Sequence, residues 1–268
     1  MATDRDTSPS SQPLVSVSVV SHGDSAPLAL LLDSLARCEA ASRLQLIITD
    51  NLGNELPALD PSPWSSLTLL RNARPAGYAR NHNAAFEHAQ GEYFCVANPD
   101  VRLIQPVFGA LIQSLETGAG AITAPLVVDS KGVVQDSFRL LPTPLELVQR
   151  RLRRWTAAPA LSPDLAVAPT DWLAGIFMFL RRKTFAGLHG FDARYRLYFE
   201  DVDFCTRARL IGLNSIVNTR VRVQHDARRA SRRPGQYLLW HLQSSLRFFT
   251  SSVYWRAQVA GRQTEATL

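Results

Sequence analysis

Three groups of side chains in this 268-residue chain are spaced for chemistry. The first lies in 190–212, where an aromatic loop runs into Glu200-Asp-Val-Asp-Phe-Cys-Thr-Arg-Ala-Arg-Leu-Ile-Gly212. The spacing predicts a short helix from near Glu200 to a glycine stop at Gly212. At 3.6 residues per turn, Asp201, Phe204, Cys205, Ala208 and Ile211 share one face. The other four members are apolar, so that face should look inward and take Asp201 with it. Glu200 and Asp203 have ordinary roles open to them in the first turn, where the helix dipole favours anions, and Asp203 can pair with Arg207. Asp201 has none: an inward carboxylate must be hydrogen-bonded, as a cap on a neighbouring loop, or used as a base. The second group is Asn98-Pro-Asp100, two oxygen donors that could grip a hard divalent cation, or form a plain turn. The third is His225-Asp226, an imidazole that could be a ligand oriented by its neighbouring carboxylate, or a structural histidine buried for its hydrogen bonds.

The second and third groups sit at the ends of predicted strands, and the first on a helix. Leu14–Val20 alternates and is β-branched, then opens into Ser21-His-Gly-Asp24. Residues 27–36 read as a leucine-rich helix. Leu46–Thr49 is a second strand ending in Asp50-Asn51, which could bond a ribose or base edge or close a turn. Leu67–Leu70 is a third, followed by the polar loop 71–83, in which Gly77, Arg80, Asn81 and Asn83 could cradle a phosphate or nucleoside at a helix start. Glu92–Ala97 is a buried strand leading into Asn98-Pro-Asp100. Short strands are expected at 121–124 and 132–135, an amphipathic basic segment at 145–155, and a mobile loop at 156–169. One strand is expected over 171–180, with Asp171, Trp172 and Gly175 at its mouth. A helix follows from Arg181, then two strands at 214–217 and 221–224, and a closing helix over 234–249 packed through Tyr237, Trp240, His241, Ser244 and Phe248. Small-residue loops after parallel strands are where α/β sheets bind ligands. No G-x-G-x-x-G is present, which argues against a dinucleotide site.

Composition narrows the class. The chain is 46% hydrophobic, enough for a core, with a net charge of +6. Arginines concentrate at 150–154 and 220–233, a pattern suited to phosphates or an anionic membrane surface. The basic residues lack interleaved aromatics of the stacking kind, so a nucleic-acid partner is not expected. Cys38, Cys95 and Cys205 are odd in number and apolar in setting, which suggests reduced thiols in the cytoplasm. Residues 1–13 read as a disordered lead, and no run approaches a membrane span.

Taken in order, strand-SHGD, strand-DN, GYARNHN, ANPDV, DWLAG, GFD-x5-YFEDVD and VQHD resemble the inverting family 2 glycosyltransferases of the GT-A fold. The resemblance runs from about Val15 to Phe249 and is nearest to bacterial rhamnosyltransferases that extend lipid-linked O-antigen or cell-wall linker precursors. It implies an α/β fold: a Rossmann-like, mostly parallel sheet flanked by helices, with a C-terminal helical segment on the acceptor side. The donor half would be 14–125, the acceptor half 126–249, and 250–268 a tail. By resemblance, Asp201 is the catalytic base. Ser21, Asp50, Gly77, Arg80, Asn83 and Asn98 contact the nucleotide-sugar donor, with dTDP-L-rhamnose favoured. Asp100 and His225 hold Mg2+ or Mn2+, although Asn98 stands where many relatives carry a further aspartate. Trp172, Gly175, Glu200, Arg228 and Arg229 face a lipid-diphosphate-linked saccharide, with peripheral contact at the anionic inner face of the cytoplasmic membrane. A galactosyl, galactofuranosyl or other hexosyl transferase of this fold and a non-catalytic nucleotide-sugar binder are the alternatives. A nucleotidyltransferase is disfavoured by the absence of a glycine-rich loop after the first strand.

Overall fold

The computed structural model describes residues 13–23, 25–53, 56–153, 166–226 and 235–265, with side chains for all of these but 150–153 and 261–265. The expected disordered lead, the first ten residues of the expected mobile loop, and Arg228 and Arg229 lie outside the described residues.

Among the described residues nine strands form one sheet. Strands β1 (Val15–Ser21), β2 (Leu44–Asp50), β3 (Ser66–Arg71) and β4 (Tyr93–Ala97) lie parallel in the order β3-β2-β1-β4. Beyond β4 comes β10 (Phe177–Arg181), antiparallel to both β4 and β6 (Ile122–Val128). Next is β11 (Ser215–His225), parallel to β6, with β8 (Val167–Thr170) antiparallel along its first half and β5 (Val101–Leu103) along its last residues. The first four strands, β6 and β11 thus share one direction, and β5, β8 and β10 oppose it. A two-stranded ribbon, β7 (Phe138–Arg139) with β9 (Trp172–Leu173), stands apart.

The two-residue period of the strands divides the core between two faces. Tyr93, Cys95 and Ala97 of β4 and Phe177 and Phe179 of β10 pack on one side with α1 (Ser25–Ala36) and α3 (Phe108–Glu116). Phe94 and Val96, with Met178 and Leu180, pack on the other with α2 (Tyr78–Phe86), α5 (Arg182–Gly187) and α6 (Glu200–Arg209). Because both faces are covered, the polar positions of β1 are buried and need partners. Ser16 Oγ donates to Gln45 Oε1 at 2.6 Å, and Ser18 Oγ lies 2.8 Å from His82 Nδ1. A third cluster joins Tyr195, Phe199 and Val202 to Phe248 and Tyr254 of α7 (Gln236–Phe249) and α8 (Ser252–Glu265). Helix α4 (Pro144–Arg153) flanks it through Leu147.

Several expectations are corrected. Residues 132–135 make only an isolated bridge, Val134 to Val128, because Asp129 Oδ1 accepts the Lys131 and Val133 amides in a tight turn. The end of the expected mobile loop is strand β8. The single strand over 171–180 is interrupted at 174–176, where backbone groups bond loops and side chains in place of a ladder. The two strands after Gly212 are one, β11, with an irregularity between Asn218 and Arg222. Ile211 is 62% exposed, since the last turn of its segment runs past the edge of the core. Tyr237 is exposed rather than packed. Residues 252–265, within the expected tail, form α8, which buries Tyr254 and Ala257.

Candidate active site

A cleft of about 1290 Å³ opens where β1, β2 and β4 end. Its walls are the 75–78 loop entering α2, the 98–100 turn, the 174–176 interruption, the start of α6 and the start of α7. Parallel pairing places Ser21 opposite Asp50 at one sheet edge, as α/β geometry requires.

Asp201 stands in this cleft, held by backbone. Its Oδ2 accepts the Gly175 N–H at 3.0 Å and its Oδ1 the Val202 N–H at 2.8 Å. An ionised carboxylate offers about four lone-pair sites, so each oxygen keeps acceptor capacity for a proton. Burial pushes its carboxyl above the ordinary value, against the pull of those amides. Glu200, expected in an ordinary first-turn role, is buried, and its Oε2 has no partner. Burial, reinforced by the neighbouring Asp201 charge, holds it well above its ordinary value. Asp203 makes the expected pair with Arg207, Oδ2 to Nε 2.7 Å.

Gly175 is the hinge of the arrangement. Its N–H goes to Asp201, and its carbonyl accepts the Tyr78 hydroxyl. An added Cβ there would lie 2.5 Å from Tyr78 Oη. The phenol is buried beside Glu200 and Asp201, which raises it further above its ordinary value. Trp172 also lines the cleft, with its indole N–H buried and unpartnered.

Asp100 and His225 are 125 positions apart in sequence, yet His225 Nε2 lies 3.2 Å from Asp100 Oδ1. The β5–β11 ladder causes this, because it pairs His225 with Val101. Asn98 and Asp100 both line the cleft, and the buried His225 Nδ1 has no partner. Among the described residues no group of three or more His, Cys, Asp or Glu converges on one point. The Asp100 carboxylate and the Asn98 amide oxygen are hard donors of the type a divalent cation accepts.

The donor-side expectations divide. Gly77 lines the cleft, and Tyr78 N–H donates to Arg196 O at 2.8 Å beside it. Asp50 Oδ1 is spent closing a turn on the Leu52 and Gly53 amides. Ser21 is buried behind the cleft, and Arg80 is exposed and outside its lining. Asn83 does not face the cleft: its Nδ2 donates to Phe191 O at 2.7 Å and its Oδ1 accepts the Phe191 N–H at 2.9 Å, clamping the 190s loop to α2. Sequence reasoning missed a neighbouring amide network. Asn51 Oδ1 accepts from Asn72 Nδ2 and the Ala76 N–H, and Asn72 also donates to Asn81. That network shapes the donor-side loop, and three asparagines converging from separate segments were its only sequence signal. His82 was missed too; burial pushes its imidazole down to about 3, so it lines the cleft uncharged.

A family model, "Glycosyl transferase family 2", matches residues 16–203, from β1 to the first turn of α6. The chain belongs to that family. This family 2 protein is 32% identical over 181 residues to the N-acetylglucosaminyl-diphospho-decaprenol L-rhamnosyltransferase of Mycobacterium tuberculosis, covering 62% of this chain and 58% of that one. It therefore spans a little over half the length of that relative. It is 24% identical over 249 residues to rhamnosyltransferase WbbL of Escherichia coli K12, covering 88% of this chain and 92% of WbbL. Among solved structures, GalNAc-T7 with UDP, GalNAc and Mn2+ superposes with a TM-score of 0.58 at 16% identity, over 82% of this chain and 44% of that one. Staphylococcus aureus TarS 1-349 in complex with UDP-GlcNAc gives 0.57 at 13% identity, over 89% and 67%. These likenesses show the GT-A fold.

Proposed function

We propose that this family 2 protein transfers L-rhamnose, with inversion, from dTDP-L-rhamnose to a hydroxyl of a lipid-diphosphate-linked saccharide. The observation that carries the reading is Asp201: a half-buried carboxylate with a raised proton affinity, fixed by two backbone amides, in the cleft that also holds Asn98 and Asp100. In a single displacement the acceptor O–H gives its proton to Asp201 as its oxygen bonds the anomeric carbon. The bond from that carbon to the diphosphate oxygen breaks, and its electron pair leaves with the nucleotide. Asp100, His225 and Asn98 would hold Mg2+ or Mn2+, which when bound neutralises charge on the departing diphosphate. Trp172, Gly175 and Glu200 shape the acceptor side, and the Asn51–Asn72–Asn81 network holds the donor-side loop. The sugar and acceptor class are taken from the names of the two rhamnosyltransferase relatives. No helix of the described residues is long and apolar enough to cross a membrane.

The test is Asp201→Asn in a radiolabelled sugar-transfer assay with dTDP-rhamnose. Removing a general base should lower the transfer rate by about 10²–10⁴-fold while donor affinity is kept. Near-normal turnover by that variant would refute the assignment. A thermal-shift panel of dTDP-, UDP- and GDP-sugars, in which only the dTDP-sugar should stabilise strongly, checks the donor.

A further inference from the structure

Helix α7 is inside out. Its buried positions hold Ser244, Ser245 and Phe248, while Leu239, Leu242 and Leu246 stand 53%, 49% and 66% exposed. The leucines fall at i, i+3 and i+7, one stripe opposite the buried face. The serines are satisfied where they are: Ser244 Oγ donates to Leu197 O at 2.9 Å and Ser245 Oγ to Leu242 O at 2.9 Å. A helix facing water has no use for three leucines outside and two serines inside.

We infer that the leucine stripe of α7 inserts into an anionic bilayer surface at the mouth of the cleft. Three observations favour this occupant. First, the stripe is continuous with the cleft, because Tyr237, Trp240 and Leu242 of the same helix line it. Second, the charge is complementary: residues 236–260 contain Arg247 and Arg256 and no aspartate or glutamate. Third, the adjoining helices repeat the pattern, with Leu145 and Val148 outside on α4 and Trp255 and Val259 outside on α8. Apolar stripe, basic flank and exposed tryptophan are the marks of an interfacial helix. At 14 residues α7 is about 21 Å long, too short to span and long enough to lie in the headgroup layer. The inference rests on the lipid-linked acceptor proposed above, and it gives the cleft a fixed approach to that lipid.

The test is flotation of the full chain with vesicles of phosphatidylcholine containing phosphatidylglycerol, at low and high salt, with no donor or acceptor present. Wild type should float, and a residue of binding should survive high salt because burial of leucine is not screened. Leu239→Gln with Leu246→Gln, neither of which lines the cleft, should cut partitioning by roughly tenfold or more per leucine at both salt concentrations. Its melting temperature should stay at the wild-type value. Three results would overturn the inference. One is wild type that does not float, or that is released completely by salt, a result that needs no variant. Another is a double variant that floats as well as wild type. The last is a wild-type dimer in solution that the double variant converts to monomer, which would make the stripe a contact between copies. Asp201→Asn should float normally, so loss of transfer and loss of membrane binding are read separately.

Discussion

Replacing Gly77 by alanine should destabilise the protein and slow transfer, although the backbone there would accept any residue. Its φ of −73° and ψ of 162° are ordinary extended geometry, so conformational freedom is not what glycine supplies. Space is. An alanine Cβ would lie 2.5 Å from the Arg196 carbonyl oxygen, 2.8 Å from its Cα and 3.1 Å from its carbonyl carbon. All three are backbone atoms, so relief requires the 190s loop to move by about 1 Å rather than a side chain to swing. The same oxygen accepts the Tyr78 N–H at 2.8 Å, and the movement would stretch that bond. Overpacking of this kind costs about 1–3 kcal/mol. For a chain this size, each kcal/mol lowers the melting temperature by roughly 2–4 °C. Arg196 is five residues before Asp201, and a shift of about 1 Å at the base is expected to cost on the order of a hundredfold in rate. Gly109→Ala in α3 is the matched control: nothing lies within 4 Å of its added Cβ, so it should gain about 0.4–1 kcal/mol. Calorimetry and initial rates on both variants decide the matter. Should Gly77→Ala melt with the wild type, the packing argument is wrong. Should it melt lower yet turn over normally, the loop does not position the base.

Three further outcomes follow from the same geometry. Glu200 is held above its ordinary 4.5 by burial and by Asp201, so the folded state keeps a proton the unfolded state has released. Stability should therefore rise as pH falls through that raised value, and Glu200→Gln should shrink the slope to what Asp201 and Asp203, also raised by burial, contribute, while leaving the acid limb of the rate profile expected from Asp201 in place. A limb that moves with Glu200→Gln would mean that Glu200 is ionised during turnover. Asn83→Ala should cost about 1–3 kcal/mol for each Phe191 backbone group it leaves unpaired, with nucleotide affinity unchanged by titration calorimetry. Affinity that fell without a loss of stability would restore Asn83 to the donor site. Asp100→Asn and His225→Ala should each remove most of the Mn2+-dependent thermal stabilisation expected with dTDP, and an undiminished shift in both would place the cation elsewhere.

What the sequence made legible was whatever is local. Apolar runs marked β1, β2 and β4, and the residues after them duly reach one sheet edge. The inward face of α6 followed from periodicity as far as Ala208. Long-range pairing was not legible. Asn83 as a ligand and Asn83 as a clamp look alike until Phe191, 108 positions away, is seen to hold both ends of the amide. The strands of two or three residues, β5, β7 and β9, are too short to show a period, yet β5 alone brings His225 to Asp100. Polar residues at 218–220 read as a break between strands, but Asn218 donates to Ser114 Oγ at 2.9 Å and β11 continues through them. For α7 the spacing marked the inward face, where Ser244 and Phe248 are buried although Tyr237 is not, while the exposed leucine stripe went unread.

The Ser244 bond to the Leu197 carbonyl bears on the position of Asp201. Tyr198 and Phe199, the residues before Glu200 and Asp201, both have left-handed backbones, with φ of 71° and 68°. Neither is glycine, and each such residue costs on the order of 1–3 kcal/mol. The conformation persists because its surroundings over-determine it. Phe199 is buried against His241, Phe248 and Phe249, and Ser244 grips the Leu197 carbonyl just upstream. Phe199 in turn opens α6, accepting the Asp203 N–H at 2.9 Å, so the turn that costs energy is the turn that aims Asp201 into the cleft. The family match ends at residue 203, yet the props for this turn come from 236–249. The C-terminal helices are therefore part of what holds Asp201 in place.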